Sequence, residues 1–419
     1  MTCAAAYGVR AARPAVSARG ALLWLLAAAM ATGSFVIREP APFDIAILLL
    51  GAAGLMLGAM AFTPTNRVAL LALGGYMAVN VASLVMVHDA LVARAYLLTT
   101  AYLATSFVSF LGFLNAYGVP AWSALLGGYA ASGVVATVAS ALAYWNVLPL
   151  RDELLMAGRP KGWFKDPNVF GPYLVVALLY AVTRLQQPGE RIRRLAPWAA
   201  VLACTAAGVC LSFSRACWIN CGVALAAFFG IRLAQVCRTG RASRRFWLAI
   251  LLTGVLVAGI CAALFADAGT RRMLDIRLGH NGLQDYDDVR FYTHERALDA
   301  GMRLPLGLGA GQSEGTFGYA THSMYLRVLC ENGIPGFLLF YILVLGGLAR
   351  AAWLALGKDH AIAGLHAFAF ACMAGILVNG FVIDVIHWRH FWFVAALTWC
   401  SPRGESTAYA HYPHRDARG

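Results

Sequence analysis

The segment Ser212-Phe213-Ser214-Arg215 holds side chains suited to an anionic substrate. It lies between two apolar runs with almost no linker. Arginine makes bidentate hydrogen bonds to phosphate oxygens, and an arginine at membrane depth needs a partner or a watery cavity. Arg215 is therefore a candidate phosphate ligand, with Ser214 beside it. The alternative is an interfacial arginine whose guanidinium reaches out to water.

A second candidate group occupies residues 159–173. Lys161 and Lys165 precede the turn sequence Asp166-Pro167-Asn168, and Asn168 is predicted to cap the helix that follows. The positive end of that helix, beside two lysines, suits an anion such as phosphate. On these residues alone, a capped turn with solvated lysines is the favoured interpretation.

Acid–base chemistry is suggested by His322, which begins the segment His322-Ser323-Met324-Tyr325-Leu326-Arg327. This segment predicts an amphipathic helix that Asn332-Gly333 ends, and Pro335 then starts the next helix. A histidine can take a proton from an attacking hydroxyl near neutral pH. A lone histidine is more often structural, and residue type alone favours that role.

The long loop before His322 is rich in charge. Its basic residues include Arg271, Arg272, Arg277 and Arg290, and an acidic run covers Asp285-Tyr286-Asp287-Asp288. The aspartates have the oxygen ligands that a divalent ion takes, but a solvated acidic loop is favoured. The ten cysteines form no Cys-x-x-Cys pair and no cluster of zinc spacing. The sequence therefore predicts no metal site and no cofactor.

The elements that must position these residues are transmembrane helices. Of 419 residues, 60% are hydrophobic and 13% charged, which excludes a soluble enzyme and a disordered chain. The apolar runs are continuous, so an outer-membrane barrel is excluded as well. We predict an all-α polytopic bundle of about 12 spans. The predicted spans are about 21–37, 43–62, 68–87, 93–113, 122–148, 169–185, 195–213, 216–236, 246–266, 334–356, 361–382 and 387–400.

Topology follows from charge. The net charge of +13 comes mostly from short connections between apolar runs, so it indicates membrane orientation and no nucleic acid. Its distribution favours two cytoplasmic termini and an extracytoplasmic long loop. The predicted organisation is helices 1–9 in 1–266, a periplasmic loop with short helices in 267–333, helices 10–12 in 334–400 and a cytoplasmic tail in 401–419. Asp384 lies on the loop side, where it is a candidate to orient a basic group.

Taken together, these segments resemble the O-antigen ligase and polymerase superfamily of bacterial envelope glycosyltransferases. The matching residues, which follow one another in the family's order, are Phe164 to Asn168 with Gly171, Ser212-x-Ser214-Arg215, Pro305-x-Gly307-x-Gly309, His322-Ser323-x-Tyr325-Leu326 and Glu331-x-Gly333-x-x-Gly336. At Ser323 the family often has asparagine. The late segment His387 to Trp392 is similar as well.

The resemblance implies a GT-C-like, metal-independent, inverting transfer of a glycan from undecaprenyl diphosphate at the periplasmic face of the inner membrane. It implies that Arg215 and Arg290 hold the pyrophosphate and that His322 activates the acceptor hydroxyl. Secondary candidates for substrate contacts are Lys161, Lys165, Asn168, Ser214, Tyr325 and Asp384.

The implied acceptor is a glycan or a lipid A–core. Membrane lipids and proteins of envelope-polysaccharide assembly are expected partners. The resemblance does not separate ligase from polymerase. The rival hypotheses are a transporter of lipid-linked or small solutes, against which the absence of symmetric halves argues, and a scaffold without catalysis.

Overall fold

The computed structural model describes residues 18–187, 192–240, 244–278, 285–357 and 360–401. Helices dominate these residues, beside one two-stranded hairpin, which confirms the all-α fold class. The predicted tail beyond Ser401 lies outside the described residues, and so do the side chains of the acidic run 285–288.

The first half of the chain contains α1 to α7. Their bounds are α1 Ala18–Ala31, α2 Pro42–Met56, α3 Asn66–Ala82, α4 Ala90–Tyr117, α5 Val119–Tyr144, α6 Arg151–Leu154 and α7 Pro167–Leu185. A 3-10 turn, Ser83–Met86, continues α3. Between α6 and α7, β1 (Leu155–Met156) pairs antiparallel with β2 (Arg159–Pro160).

The second half contains α8 to α16. Their bounds are α8 Ile192–Leu211, α9 Arg215–Thr239, α10 Arg244–Ala266, α11 Ala268–Leu278, α12 Asp285–Arg303, α13 Ser313–Phe317, α14 Met324–Ala355, α15 His360–Asn379 and α16 Arg389–Trp399. The segment between α10 and α14 thus folds into three helices, α11 to α13.

Among the described residues, nine helices are long and apolar enough to cross a membrane, fewer than the twelve predicted spans. The predicted spans 21–37 and 43–62 appear as the shorter apolar helices α1 and α2. The predicted span 387–400 is wrong in its extent, because α16 has only 11 residues. Such a helix is about 16 Å long and cannot cross a hydrocarbon core of about 30 Å. Beyond Arg389 its residues are all buried, so α16 is an internal helix of the bundle.

The predicted helix break before Pro335 is confirmed. The helix α14 is interrupted at Gly333, whose φ of 61° and ψ of −171° are not helical. A glycine is needed there because a side chain would overlap the Pro305 carbonyl. The short helix that carries Tyr325 and Arg327 is thereby separated from the membrane-spanning part of α14.

Close helix crossings hold the bundle together. Lipid tails are as apolar as leucine, so helices in a membrane associate through close packing and not through the hydrophobic effect. At Gly128 of α5 the backbone of α1 approaches so closely that a methyl group would overlap the Ala27 carbonyl. The 42 glycines of the sequence include many at such crossings.

A buried ion pair joins the first and last parts of the fold. Arg389, at the start of α16, donates from Nε and Nη2 to the two carboxylate oxygens of Asp44 in α2, both at 2.7 Å. The Asp44 side chain is 1% exposed and that of Arg389 is 10% exposed. Asp44 Oδ2 also accepts a hydrogen bond from the Ala41 amide at 2.8 Å, so the pair fixes the start of α2.

We expect Arg389→Ala to destabilise the protein by about 3–5 kcal/mol, because it leaves the Asp44 carboxylate buried without its partner. Thermal unfolding in detergent measures the change. The matched control is Arg303→Ala, whose exposed pair with Asp299 contributes little. Equal unfolding midpoints for the two variants would contradict the expectation.

Candidate functional site

The turn between α8 and α9 gathers three arginines. Arg159 Nε donates to the Ser212 carbonyl at 3.1 Å, and Arg277 Nε donates to the Phe213 carbonyl at 3.2 Å. Arg215 follows as the first residue of α9, with an exposed side chain. We call Arg159, Arg215 and Arg277 the arginine cluster. Burial, and next the charge of Arg277, lower the pKa of Arg159 to about 10, although Asp166 opposes the change.

The electrostatics of the arginine cluster favour an anion. Among the described residues, none of the three arginines forms an ion pair. The N-terminus of α9 adds the positive end of a helix dipole at Arg215. The backbone of the turn is strained, since Phe213 has a φ of 49°. The turn therefore concentrates positive charge that the described protein groups do not neutralise.

Ser214 and Asn168 contact each other beside the arginine cluster. Ser214 Oγ donates to Asn168 Oδ1 at 2.7 Å, and Arg159 Nη2 donates to the same oxygen at 3.2 Å. Ser214 also caps α9 by accepting from the Cys217 amide at 3.3 Å. These contacts fix Arg159 relative to the start of α9.

The prediction that Asn168 caps its helix is wrong. Asp166 is the N-cap of α7, and its Oδ1 accepts from the Asn168 amide at 2.5 Å. Pro167 takes the first helical position, where its missing N–H costs nothing. The Asn168 side chain is thereby released from capping and reaches α9.

The two predicted lysines have partners within the protein. Lys161 Nζ donates to the carbonyls of Glu153, at 2.5 Å, and Phe164, at 3.3 Å. Burial lowers the pKa of Lys161, and Glu153 opposes that change. Lys165 Nζ pairs with Glu39 Oε1 at 2.9 Å on the surface. The role of both lysines in phosphate binding stays a prediction.

An apolar groove begins at the arginine cluster. Its volume is about 400 Å³, and Phe213, which accepts from Arg277, is part of its wall. The remaining lining comes from α7 to α11, as Leu178, Ala206, Val209, Cys210, Trp218, Cys221, Gly222, Leu225, Val257, Cys261, Leu264, Phe265, Thr270 and Leu274. A long apolar chain fits such a surface. The groove adjoins the arginine cluster through Phe213, although none of the three arginines lines it.

His322 lies at the junction of the loop and α14, half-buried and with a φ of 45°. Arg290 Nη2 donates to the His322 carbonyl at 3.3 Å and to the Val382 carbonyl at 2.8 Å. His294 Nε2 donates to the Thr321 carbonyl at 2.7 Å. Burial, and next the charge of Arg290, lower the pKa of His322. The imidazole is therefore neutral at neutral pH, as a general base must be.

Arg290 and Arg215 belong to different parts of the site. The hydrogen bonds of Arg290 go to the His322 loop, whereas Arg159 and Arg277 contact the turn before Arg215. The sequence named Arg277 among the basic loop residues but gave Arg159 no role. Arg159 begins the candidate segment 159–173, but the sequence could not place it at the turn before Arg215, because Ser212 is 53 residues away.

A buried ion-pair network lies beneath His322. Arg327 Nη1 donates to Asp384 Oδ2 at 2.5 Å, and its Nε lies 3.2 Å from Glu331 Oε1 in an ion-pair contact that is not an aligned hydrogen bond. Glu331 is fully buried. Asp384 thus orients a basic group, Arg327. Arg327 and Glu331 lie within the sequence motifs described above, but the sequence predicts no role for either residue.

Tyr325 is engaged within the fold. Its hydroxyl donates to the Leu377 carbonyl at 2.9 Å, and its ring stacks on Phe381 with centroids 4.4 Å apart. Its predicted contact with substrate stays a prediction.

The arginine cluster and the His322 loop lie at the same end of the bundle. The helices α9 and α15 pack together, with Gly375 so close to Asn220 that a methyl group would overlap it. Asn220 is about one and a half turns from Arg215, and Gly375 is about as far from Gly380. The Gly380 carbonyl accepts a hydrogen bond from the Met324 amide at 2.9 Å, and Met324 is two residues after His322. One membrane face therefore carries both groups.

The comparisons with known proteins agree with this arrangement. No curated protein matches the chain. The family described as O-antigen ligase has a model that matches residues 200–341, a range that includes the arginine-bearing turn, α11 to α13, His322 and the Arg327–Glu331 pair. This match supports the resemblance to the O-antigen ligase superfamily over residues 200–341.

Proposed function

We propose that this protein transfers a glycan from undecaprenyl diphosphate to an acceptor hydroxyl, at the extracytoplasmic face of a bacterial inner membrane. The family supports a ligase or polymerase reaction in general. The donor, the base and the stereochemistry are those that the resemblance implies, and the geometry of the site supports them as described below.

The arginine cluster carries the proposal. Three arginines and a helix N-terminus share one turn without an ion pair among the described residues, which suits a bound diphosphate. The apolar groove starts at the same turn, so a polyprenyl chain in the groove brings its diphosphate to Arg215. A free sugar nucleotide has no chain to place there, so the groove favours a lipid-linked donor.

In the proposed reaction the arginine cluster binds the donor and His322 acts on the acceptor. The acceptor oxygen attacks the anomeric carbon and forms the new C–O bond, while the bond from that carbon to the phosphate oxygen breaks. The electron pair leaves with undecaprenyl diphosphate, whose growing charge the arginines stabilise without a metal ion. His322 takes the hydroxyl proton. One in-line displacement inverts the configuration at the anomeric carbon.

Arg290 has a separate part in this proposal. Its Nη2 donates to the His322 carbonyl, and its charge adds to the burial that lowers the pKa of the imidazole. Among the described residues nothing accepts from its other guanidinium nitrogens, so we assign them to the donor pyrophosphate, which would join the two parts of the site.

The test is reconstitution of the purified protein with an undecaprenyl-diphosphate-linked oligosaccharide. A lengthened glycan with lipid-linked acceptor marks a polymerase, and a glycosylated lipid A–core marks a ligase. Undecaprenyl diphosphate must be released in step with product. Donor consumption without any glycosylated acceptor, or movement of intact donor across the vesicle membrane, would overturn the proposal.

We expect activity to rise with pH through a pKa below the ordinary histidine value of about 6.5, then level off. Protonated imidazole cannot accept the hydroxyl proton, so activity falls as the pH drops through the lowered pKa of His322. Arg290→Gln removes one cause of the lowering and should move the acid limb to higher pH. The control, Arg296→Gln on the same helix, should leave it in place. An acid limb unmoved in Arg290→Gln would contradict the assignment.

A further inference from the structure

A second, polar cavity lies apart from the apolar groove. Its volume is about 800 Å³. It lies between the N-terminal part of α4, the helix α13 and the short helix before Gly333. The lining residues are His88, Asp89, Val92, Ala95, Tyr96, Thr99, Gly311, Gln312, Glu314, Gly315, Thr316, Arg327 and His387. We call it the polar cavity. The mechanism above assigns it nothing.

The walls of the polar cavity are fixed by hydrogen bonds over long sequence distances. Gln312 Oε1 accepts from the amides of His88 and Asp89 at 3.1 and 2.8 Å, and its Nε2 donates to the Asp89 carbonyl at 3.1 Å. Glu331 accepts from Ser313 Oγ at 2.6 Å and from the Gly311 amide at 3.1 Å. The cavity is therefore built in advance of any ligand, which lowers the entropy cost of binding.

The floor of the polar cavity is the guanidinium of Arg327. It stacks on the Tyr96 ring at 5.1 Å, and His387 meets the same ring at 4.6 Å. Buried Glu331 and partly exposed Asp384 already pair with Arg327, while Glu314 Oε1 lies 3.8 Å from it. Carboxylates thus outnumber the guanidinium around the cavity, which disfavours a diphosphate.

Two carboxylates of the lining have oxygens for a ligand. The Glu314 side chain is 58% exposed, and among the described residues it makes only the long contact with Arg327. Asp89 uses Oδ1 to cap α4. Carboxylates that accept hydrogen bonds beside an aromatic ring suit the hydroxyls of an uncharged saccharide.

The polar cavity adjoins the proposed base. Asp384, the partner of Arg327, lies two residues from Val382 in the sequence. The carbonyls of Val382 and His322 both accept hydrogen bonds from Arg290. The negative charges of Glu314 and Asp384 act on the His322 imidazole and oppose the lowering of its pKa. A saccharide in the cavity therefore presents its end to the His322 loop.

We propose that the polar cavity binds the acceptor saccharide and delivers its hydroxyl to His322. This inference rests on the proposed glycan transfer. It divides the reacting groups by charge, with the donor diphosphate at the arginine cluster and the uncharged terminal sugar of the acceptor at the carboxylate-lined cavity.

Two variants test the proposal in the reconstituted transfer assay. Glu314→Gln removes one acceptor-facing charge, and Ala95→Phe fills the cavity without altering a charged group. We expect each to raise the KM for acceptor by about tenfold or more, as for loss of hydrogen bonds to a charged group, with the KM for donor unchanged. Glu295→Gln, an exposed carboxylate of α12 outside the lining, is the matched control.

The outcomes separate this inference from the proposed function. If both variants keep the wild-type KM for acceptor, or raise the KM for donor instead, the polar cavity is not the acceptor site although transfer itself stands. If the wild-type protein makes no glycosylated product, the proposed function fails. Unfolding midpoints near that of the wild type show that a changed KM is not misfolding.

Discussion

Replacing His322 with alanine is expected to lower the rate of glycan transfer by about 10²–10⁴-fold, because the attacking hydroxyl loses its general base. The imidazole suits this task because burial and Arg290 lower its pKa and keep it neutral. The KM for donor should change little, since our proposal places the donor head at the arginine cluster. Single-turnover transfer with saturating donor and acceptor measures the chemical step.

The backbone at His322 calls for a second variant. Its φ of 45° is one that asparagine tolerates better than alanine does. His322→Asn therefore keeps the junction and removes the base, and it should be as inactive as His322→Ala. The control is His294→Gln, whose amide can still donate to the Thr321 carbonyl. A His322→Asn protein with near wild-type transfer would show that the histidine only shapes the loop.

The sequence predicts the helical bundle well because the signal is local. Each long apolar run becomes a helix, and Asn332-Gly333-Ile334-Pro335 predicts the break seen at Gly333. The extent of the last span could not be predicted, because a helix that is buried inside the bundle is as apolar as one that crosses the membrane. The residues of α16 are buried against other helices and not against lipid.

The site was only partly predictable because its contacts are tertiary. The segment Ser212–Arg215 predicts a phosphate site, but its contact with Arg159, which is 53 residues away, could not be predicted. The polar cavity depends on Gln312, which contacts residues 223 and 224 positions earlier. The Asn168 side chain was predicted to cap a helix, and Asp166 takes that place because both are capping residues in one turn. Spacing alone does not decide between them.

The arginine cluster raises the question of whether charge alone holds the donor. Arg215 is exposed, and no described residue pairs with it, so a lysine there keeps the charge and leaves the fold intact. A lysine cannot reproduce the planar fork that binds two phosphate oxygens at once. If donor binding depends on this two-oxygen contact, replacing Arg215 with lysine should lower activity although the positive charge is kept.

We expect Arg215→Lys to lower kcat/KM for donor by about 10- to 100-fold, the loss of a charged hydrogen bond. The KM for acceptor should stay as in the wild type. The control is Arg238→Lys at the other end of α9, where the arginine donates to the Leu356 carbonyl and a lysine can do the same. Transfer kinetics at varied donor concentration measure both variants. Equal kinetics for the two would mean that Arg215 is an interfacial arginine, and the diphosphate would then have to bind elsewhere.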